Sequence, residues 1–413
     1  MTGLYRRVLD LGLKSLICRG KLYVTWPDGT RSQYGDGEGF SAGIRINNNA
    51  TVRHLALNPG LALGEAYMDE GVTLTDGTIH DVLSVLLENM NHGTMPALRW
   101  QERIARLLRP ILQANNAMRA KRNVAHHYDL NGRLYSLFLD RDRQYSCAYF
   151  PRGDETLEEA QAAKKHHIAA KLKLDKPGLT VLDIGCGWGG MALTLARDYG
   201  AQVTGITLSE EQLAAARARA AEAGLADRVT FELLDYRAMD RQFDRIVSVG
   251  MFEHVGLPNY KIFFDTIKRC LKPDGVALLH SIGRLEGPGA TNPWIAKYIF
   301  PGGYSPALSE VLGPIERSGL VTTDIEILRL HYAKTIAHWR RRFAANLDAI
   351  TTIYDERFCR MFEFYLSGSE LAFRLEDHMN FQIQLTRSKE ALPLARDYMF
   401  EQERHSKFAS AGE

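Results

Sequence analysis

Residues 179–190 read LTVLDIGCGWGG: an apolar run, one acid inside it, then glycines at 185, 187, 189 and 190. A short apolar run that stops at glycines predicts a strand buried on both faces, opening into a tight turn and then a helix. The text downstream repeats that unit. MALTLARDYG reads as a helix, AQVTGITL as a second strand, and SEEQLAAARARAAEAG as a helix with Ser209 as its N-cap. RVTFELLD and FDRIVSVG follow as strands, NYKIFFDTIKRCLKPDG as a helix closed by proline and glycine, and GVALLHSIG as a fifth strand. Alternation of this kind predicts an α/β fold, a mostly parallel sheet with helices on both faces. Ligands of such sheets bind beyond the carboxyl ends of the strands.

Outward from this core, the text changes character near residue 115. Short elements separated by WPDGT, YGDGEG, NPG, DEG and TDGT fill the N-terminal part. KLYVTW and GIRINNNATVRHL read as strands and HDVLSVLLENM as a helix, so residues 1–115 are expected to form a small mixed α/β domain and 116–413 the larger one. The whole has 413 residues, 45% hydrophobic and 24% charged, with a net charge of +2. No run of about eighteen apolar residues occurs, and the charged N-terminus does not read as a secretory signal. Five dispersed cysteines without a CxxC pair suit a reducing compartment, so a cytoplasmic location is expected. Charge is unevenly spread: Arg6, Arg7, Lys14, Arg19 and Lys21 face one acid over residues 1–21, and 97–122 is a basic amphipathic connector. Basic charge interleaved with Leu, Ile and Trp predicts either two solvated helix faces or attraction to an anionic membrane surface.

Asp183 precedes the glycines. A carboxylate there suits a cationic amino-acid group more than a pyrophosphate, which it would repel; the plainer reading is a turn cap. The second strand ends in Gly205-Ile-Thr207-Leu208-Ser209 without a ribose-binding acid. That weakens both a dinucleotide reading and a generic methyltransferase reading. Asp235 and Tyr236, after the third strand, stand where an adenine is gripped at its edge and face, or serve as a cap and a packed aromatic.

The segments YDLNGRLYSLFLD, YSCAYF, LEEAQAAK, VLDIGCGWGG, VTGITLSEEQ, DRIVSVGMFEHVG, LLHSIG, IFPGG and HYAKT occur in this order over residues 128–335. Together they resemble the cyclopropane-fatty-acyl-phospholipid synthases and the mycolic acid cyclopropane synthases, and LGEAYMDEG at 63–71 resembles the N-terminal region of the full-length bacterial enzymes. The resemblance implies a Rossmann-like class I S-adenosylmethionine-dependent methyltransferase sheet. It implies that Asp183, Gly185, Gly187 and Gly189 line the methionyl part of S-adenosylmethionine. Thr207, Leu208 and Gln212 would meet the ribose and adenine side, Asp235 and Tyr236 the adenine, and Tyr145 and Ser146 would close over the donor. Cys147, Glu253, His280, Ile282 and Tyr332 match the positions that hold a bicarbonate ion. A cis-unsaturated phospholipid as acceptor, an anionic membrane surface and a homodimer are the implied partners.

The chemistry explains these residue types. An alkene is a weak nucleophile and a sulfonium methyl a strong electrophile, so transfer leaves a carbocation whose new methyl must lose a proton to close the ring. Bound bicarbonate is a base for that proton. His280, Tyr332 and the backbone N–H groups of Cys147 and Ile282 are the expected donors, while Glu253 shares a proton with the anion or orients His280. Tyr128, Tyr149 and Phe252 are candidates to face the cation with their rings.

Each residue has a plainer reading. His280 suits a satisfied core histidine, Glu253-His254 a helix start and Cys147 a small buried hydrophobe. Adjacent His126-His127 and His166-His167 do not share a face, so no metal is expected. Cys359 has no partner motif, and Ser369 occupies the place where some relatives carry a cysteine, so no covalent intermediate is expected. A methyl-branched product on the same scaffold and a lipid-binding protein with a vestigial site are the rivals. Nucleic acid is not expected, because the basic stretches are amphipathic and no base-flipping motif is present.

Overall fold

The computed structural model describes residues 2–90 and 132–405. The connector expected at 97–122, Tyr128 and His126-His127 lie outside them. The chain divides into two compact units.

The smaller unit holds residues 2–90 with Gly289–Pro301 and Ile336–His378. Its four-stranded sheet is built from β1 (Lys21–Thr25), β2 (Arg31–Tyr34), β3 (Ser41–Ile46) and β4 (Val72–Asp76), in the order β2-β1-β3-β4. β1 pairs antiparallel with β2 and parallel with β3. The strand expected through GIRINNNATVRHL stops at Ile46, and helix Asn49–Leu57 follows. Asn48 causes the switch: its side chain accepts from the Thr51 N–H at 2.9 Å, satisfying an orphan donor of the first turn.

The smaller unit also takes in segments from far beyond residue 115. Helix Glu356–Leu375 belongs with the N-terminal elements, because its Leu371 is fully buried in one cluster with Leu9, Val24, Ile44, Val82 and Val85. Glu370 beside it is buried and bonded to Arg340 at 2.9 Å and Arg374 at 3.0 Å, with His80 at 3.6 Å. Burial opposes its ionisation, but the His80 and Arg340 contacts outweigh that and hold the carboxyl at about 2.

The larger unit carries a seven-stranded sheet in the order β10-β11-β9-β8-β5-β6-β7. Its strands are β5 (Thr180–Ile184), β6 (Gln202–Thr207), β7 (Val229–Leu233), β8 (Phe243–Val249), β9 (Leu271–Arg284), β10 (Val321–Leu328) and β11 (His378–Thr386). β5 pairs in parallel with β6 and β8, which places Asp183 level with Gly205 and Val247. β10 and β11 form an antiparallel pair, so the sheet is mixed. Helix Tyr260–Cys270 ends before the KPDG segment, which already belongs to β9. Ser209 caps helix Glu210–Glu222 as expected, accepting from the Gln212 N–H. Among the described residues no helix is long and apolar enough to cross a membrane.

Glu370→Ala leaves His80, Arg340 and Arg374 without their carboxylate and is expected to cost about 2–3 kcal/mol in urea unfolding, the arginine sides being open to water. An unchanged midpoint would show that this helix does not complete the N-terminal core.

Candidate active site

Beyond Ile184 the chain turns sharply. Gly185 has φ +81°, and a Cβ there would lie 2.8 Å from the Met251 side chain. The turn opens a cavity at the carboxyl ends of β5, β6 and β8. Tyr145, Ser146, Asp183, Gly185 and Gly187 all line it, as do Thr207, Leu208, Gln212, Asp235 and Tyr236. Gly189 does not. It caps helix Gly190–Tyr199 at φ +83°, and a Cβ there would meet the Phe231 ring at 2.7 Å, so close packing requires this glycine.

Asp183 is buried, and burial pushes its carboxyl up to about 7 against the nearby Lys164 ammonium. Its Oδ2 has no hydrogen-bond partner among the described residues. A buried carboxylate oxygen left over in a cavity is a place for a cationic donor. Thr207 Oγ1 donates to Gln212 Oε1 at 2.9 Å. Asp235 is more committed than its sequence position suggests. Burial works against its ionisation, but Arg237 binds both carboxylate oxygens, at 2.8 and 2.5 Å, and holds it below the usual range. It also accepts from the Arg237 N–H and caps the turn, so the plainer reading holds beside the cavity-lining one.

The YSCAYF segment is positioned by two motifs. Thr156 and Glu159 form a capping box that starts helix Leu157–Lys171. From that helix, Gln161 Nε2 donates to the Ser146 carbonyl at 2.9 Å, and Lys164 Nζ donates to Ser146 Oγ at 2.9 Å and Gln144 Oε1 at 2.6 Å. Lys164 is fully buried, which lowers it to about 8. From HYAKT, Thr335 Oγ1 accepts from the Ala148 N–H at 3.0 Å and His331 Nδ1 from the Phe150 N–H at 2.9 Å. These bonds bring the segments of Cys147 and Tyr332 together.

None of Cys147, Glu253, His280, Ile282 and Tyr332 lines the cavity, although their neighbours Ser146, Met251 and His254 do. Glu253 follows β8 in a short 3₁₀ turn, and its Oε1 accepts from the Ile282 N–H at 2.7 Å. That N–H, expected to face an anion, is therefore taken by the carboxylate. Glu253 Oε2 is buried with no partner among the described residues, and burial, opposed by the Ile282 N–H, raises the carboxyl to about 7. His280 is fully buried between Gln382 Nε2, 3.1 Å from Nδ1, and Asn380 Nδ2, 3.3 Å from Nε2; Glu253 does not orient it. Burial also pushes the Cys147 thiol well up, so it stays protonated.

Two of the candidate cation-facing rings pack against protein side chains. Tyr149 is stacked on His167 at 4.1 Å and His331 at 5.0 Å, and Phe252 is fully buried against Tyr260 and Phe263. Both are committed to packing. His166 bonds Tyr199, and His167 bonds Glu326 and Glu403. Gln161, Lys164, Asn380 and Gln382 went unassigned. The first two were legible as a same-face i, i+3 pair inside LEEAQAAK.

A family model described as mycolic acid cyclopropane synthetase matches residues 115–383. The chain belongs to this family. A domain of unknown function matches residues 13–95. The chain is 42% identical over 352 residues to the cyclopropane-fatty-acyl-phospholipid synthase of Escherichia coli (strain K12), covering 84% of this chain and 89% of that one. It is 34% identical to the tuberculostearic acid methyltransferase UfaA1 of Mycobacterium tuberculosis, over 86% of this chain and 84% of the relative. The solved cyclopropane synthase MmaA2 from M. tuberculosis superposes with a TM-score of 0.61 at 35% identity, over 64% of this chain and 97% of that one. Mycolic acid cyclopropane synthase CmaA1, solved with SAH and CTAB, matches equally well. This member of the family is an S-adenosylmethionine-dependent methyltransferase with the Rossmann-like class I fold.

As the expected partner of an ammonium group, Asp183 would need to be ionised, so S-adenosylhomocysteine should bind more weakly as pH falls below about 7, where the free carboxyl takes up a proton. Asp183→Asn should lose about 10-fold or more in affinity together with that pH dependence, measured by calorimetry. A pH-independent wild-type affinity would show that Asp183 is not the ammonium's partner.

Proposed function

We propose that this enzyme transfers the methyl of S-adenosylmethionine to the cis double bond of a phospholipid acyl chain and closes a cyclopropane ring. The observation that carries this reading is the Glu253 carboxyl: buried, raised to about 7, one oxygen held by the Ile282 N–H and the other unpartnered. Such a group can keep a proton and share it with an anion, which a bare carboxylate would repel. A Glu253 carboxyl that keeps its proton therefore fits a bound bicarbonate, and of the expected set Cys147, Glu253, His280, Ile282 and Tyr332, Ile282 would act through Glu253, since its N–H is engaged by that carboxyl. When bound, bicarbonate supplies a base for the proton lost on ring closure.

The remaining roles fall to the chain. Asp183 would bind the donor's ammonium, with Gly185 and Gly187 allowing close backbone approach. Thr207, Leu208, Gln212, Asp235 and Tyr236 would hold the nucleoside end, and Tyr145 and Ser146 would cover it. The alkene attacks the methyl carbon as the S–C bond breaks, and the sulfur keeps the bonding electrons. A proton then leaves the new methyl, and its C–H electrons close the ring.

Helix Thr2–Leu16 supports contact with an anionic phospholipid surface. Leu9, Leu13 and Leu16 are buried, while Leu4, Val8 and Leu11 are 63%, 48% and 65% exposed and form an outward ridge beside the exposed Arg7 and Lys14. Apolar residues flanked by cations suit a headgroup boundary.

Purified protein, methyl-labelled S-adenosylmethionine and vesicles of cis-unsaturated phospholipid test the reaction. The expected product gains one CH₂ and resists mild hydrogenation. A chain carrying two further hydrogens would instead mark the methyl-branched outcome, which the similarity to UfaA1 keeps as the second reading. Glu253→Gln should lower kcat by about 10²-fold or more, whereas Cys147→Ser should retain most turnover; its complete loss would return the thiol to the chemistry. Replacing Leu4 and Leu11 with glutamate should reduce vesicle co-sedimentation without changing S-adenosylhomocysteine affinity, and undiminished sedimentation would exclude this helix.

A further inference from the structure

β11 runs through the interior with Asn380, Gln382 and Gln384 on one face, each 1% exposed or less. Buried amides need partners, and the partners of Gln382 fix which way it faces. Lys171 Nζ lies 2.7 Å from Gln382 Oε1 and also binds the Glu326 carboxylate, which takes His167 Nε2 at 2.7 Å. An ammonium only donates, so the carbonyl end of Gln382 faces Lys171. Its NH₂ therefore faces His280 Nδ1, 3.1 Å away.

An amide NH₂ also only donates, which makes Nδ1 the acceptor and leaves it without a proton. Burial, aided by Lys164 and Lys171, keeps the ring neutral by holding it at about 3. The ring's one proton then sits on Nε2, on the Asn380 side. Asn380 is consistent with this. Its Oδ1 has no partner among the described residues, and turning the amide over presents that oxygen to Nε2–H.

We propose that Gln382, pinned by Lys171 and through it by Glu326, is a positioning residue that fixes His280 as the Nε2–H tautomer. The ring's Nε2–H is then held by Asn380 and its Nδ1 lone pair is occupied by the Gln382 NH₂, so neither nitrogen presents an open lone pair. This rests on reading His280 as a member of the anion site. A histidine in the other tautomer would carry its lone pair on Nε2, and beside a carbocation that lone pair would be a competing nucleophile.

Long-range ¹⁵N–¹H spectra of the full chain labelled with ¹⁵N-histidine read the tautomer directly, with the His280 signals identified by their loss in His280→Gln. The wild type should show Nδ1 bare and Nε2 protonated. Gln382→Glu, nearly the same shape but with an acceptor in place of the NH₂, should place a proton on Nδ1. Gln382→Leu should lower kcat for lipid methylation by about 10-fold or more with unchanged S-adenosylhomocysteine affinity. A protonated Nδ1 in the wild type, or a Gln382→Leu enzyme with unchanged kcat, overturns the proposal. If the wild type methylates no lipid, the functional reading fails while the spectra still decide the tautomer.

Discussion

Desolvated carboxyl groups at the end of an apolar sheet are the constraint on which the rest of this site depends. Asp183 lies near the end of the buried strand β5 and Glu253 shortly after β8, and each keeps one oxygen without a partner among the described residues. Removing such a group from water costs several kcal/mol unless something compensates it. The chain supplies only part of that compensation: the Ile282 N–H at Glu253, and the field of the buried Lys164 near Asp183. What is left over has opposite character at the two places. A cation satisfies Asp183 once it ionises, whereas Glu253 is suited to holding its proton toward an anion. The donor's ammonium and the proposed bicarbonate are complementary to those two residues of unmet demand.

The sheet core and the cavity were largely legible because they rest on local rules. Apolar runs ending at glycine gave β5, β8 and β9 to within a few residues, the run AQVTGITL gave β6, and a serine before acids gave the start of helix Glu210–Glu222. Ten of the eleven expected donor-binding residues line one cavity, most of them at or just after a strand end, while Tyr145 and Ser146 reach it from the segment before helix Leu157–Lys171. Gly189 differs because a glycine can serve a ligand or a neighbour, and the Phe231 ring that claims it is distant in sequence.

What stayed hidden was non-local. In HMNFQIQLT the alternation of polar and apolar residues reads as a strand with one solvated face, yet every residue after His378 is buried. Asn380, Gln382 and Gln384 belong there only because Lys171, His280 and Tyr398 bring them partners. The small unit escaped a linear reading for the same reason, as its core is completed by Leu371 from far down the chain. Asn48 was a local signal, but a strand pattern on its N-terminal side masked it.

For the proposed reaction, the groups around the anion site share a property beyond position. A carbocation is captured by any accessible lone pair, so the residues that manage its proton must not themselves be nucleophiles. The Cys147 sulfur is kept as a thiol by burial. Glu253 has one oxygen engaged by a backbone N–H and a carboxyl basic enough to hold a proton near neutral pH. His280 is kept neutral, with Nδ1 occupied by an amide. Burial is the first cause in all three cases, and it is costly for stability in each. In a water-filled site the Glu253 carboxyl would ionise, and both it and water would offer the cation a nucleophile. Dryness here protects the intermediate as well as strengthening the contacts that position it.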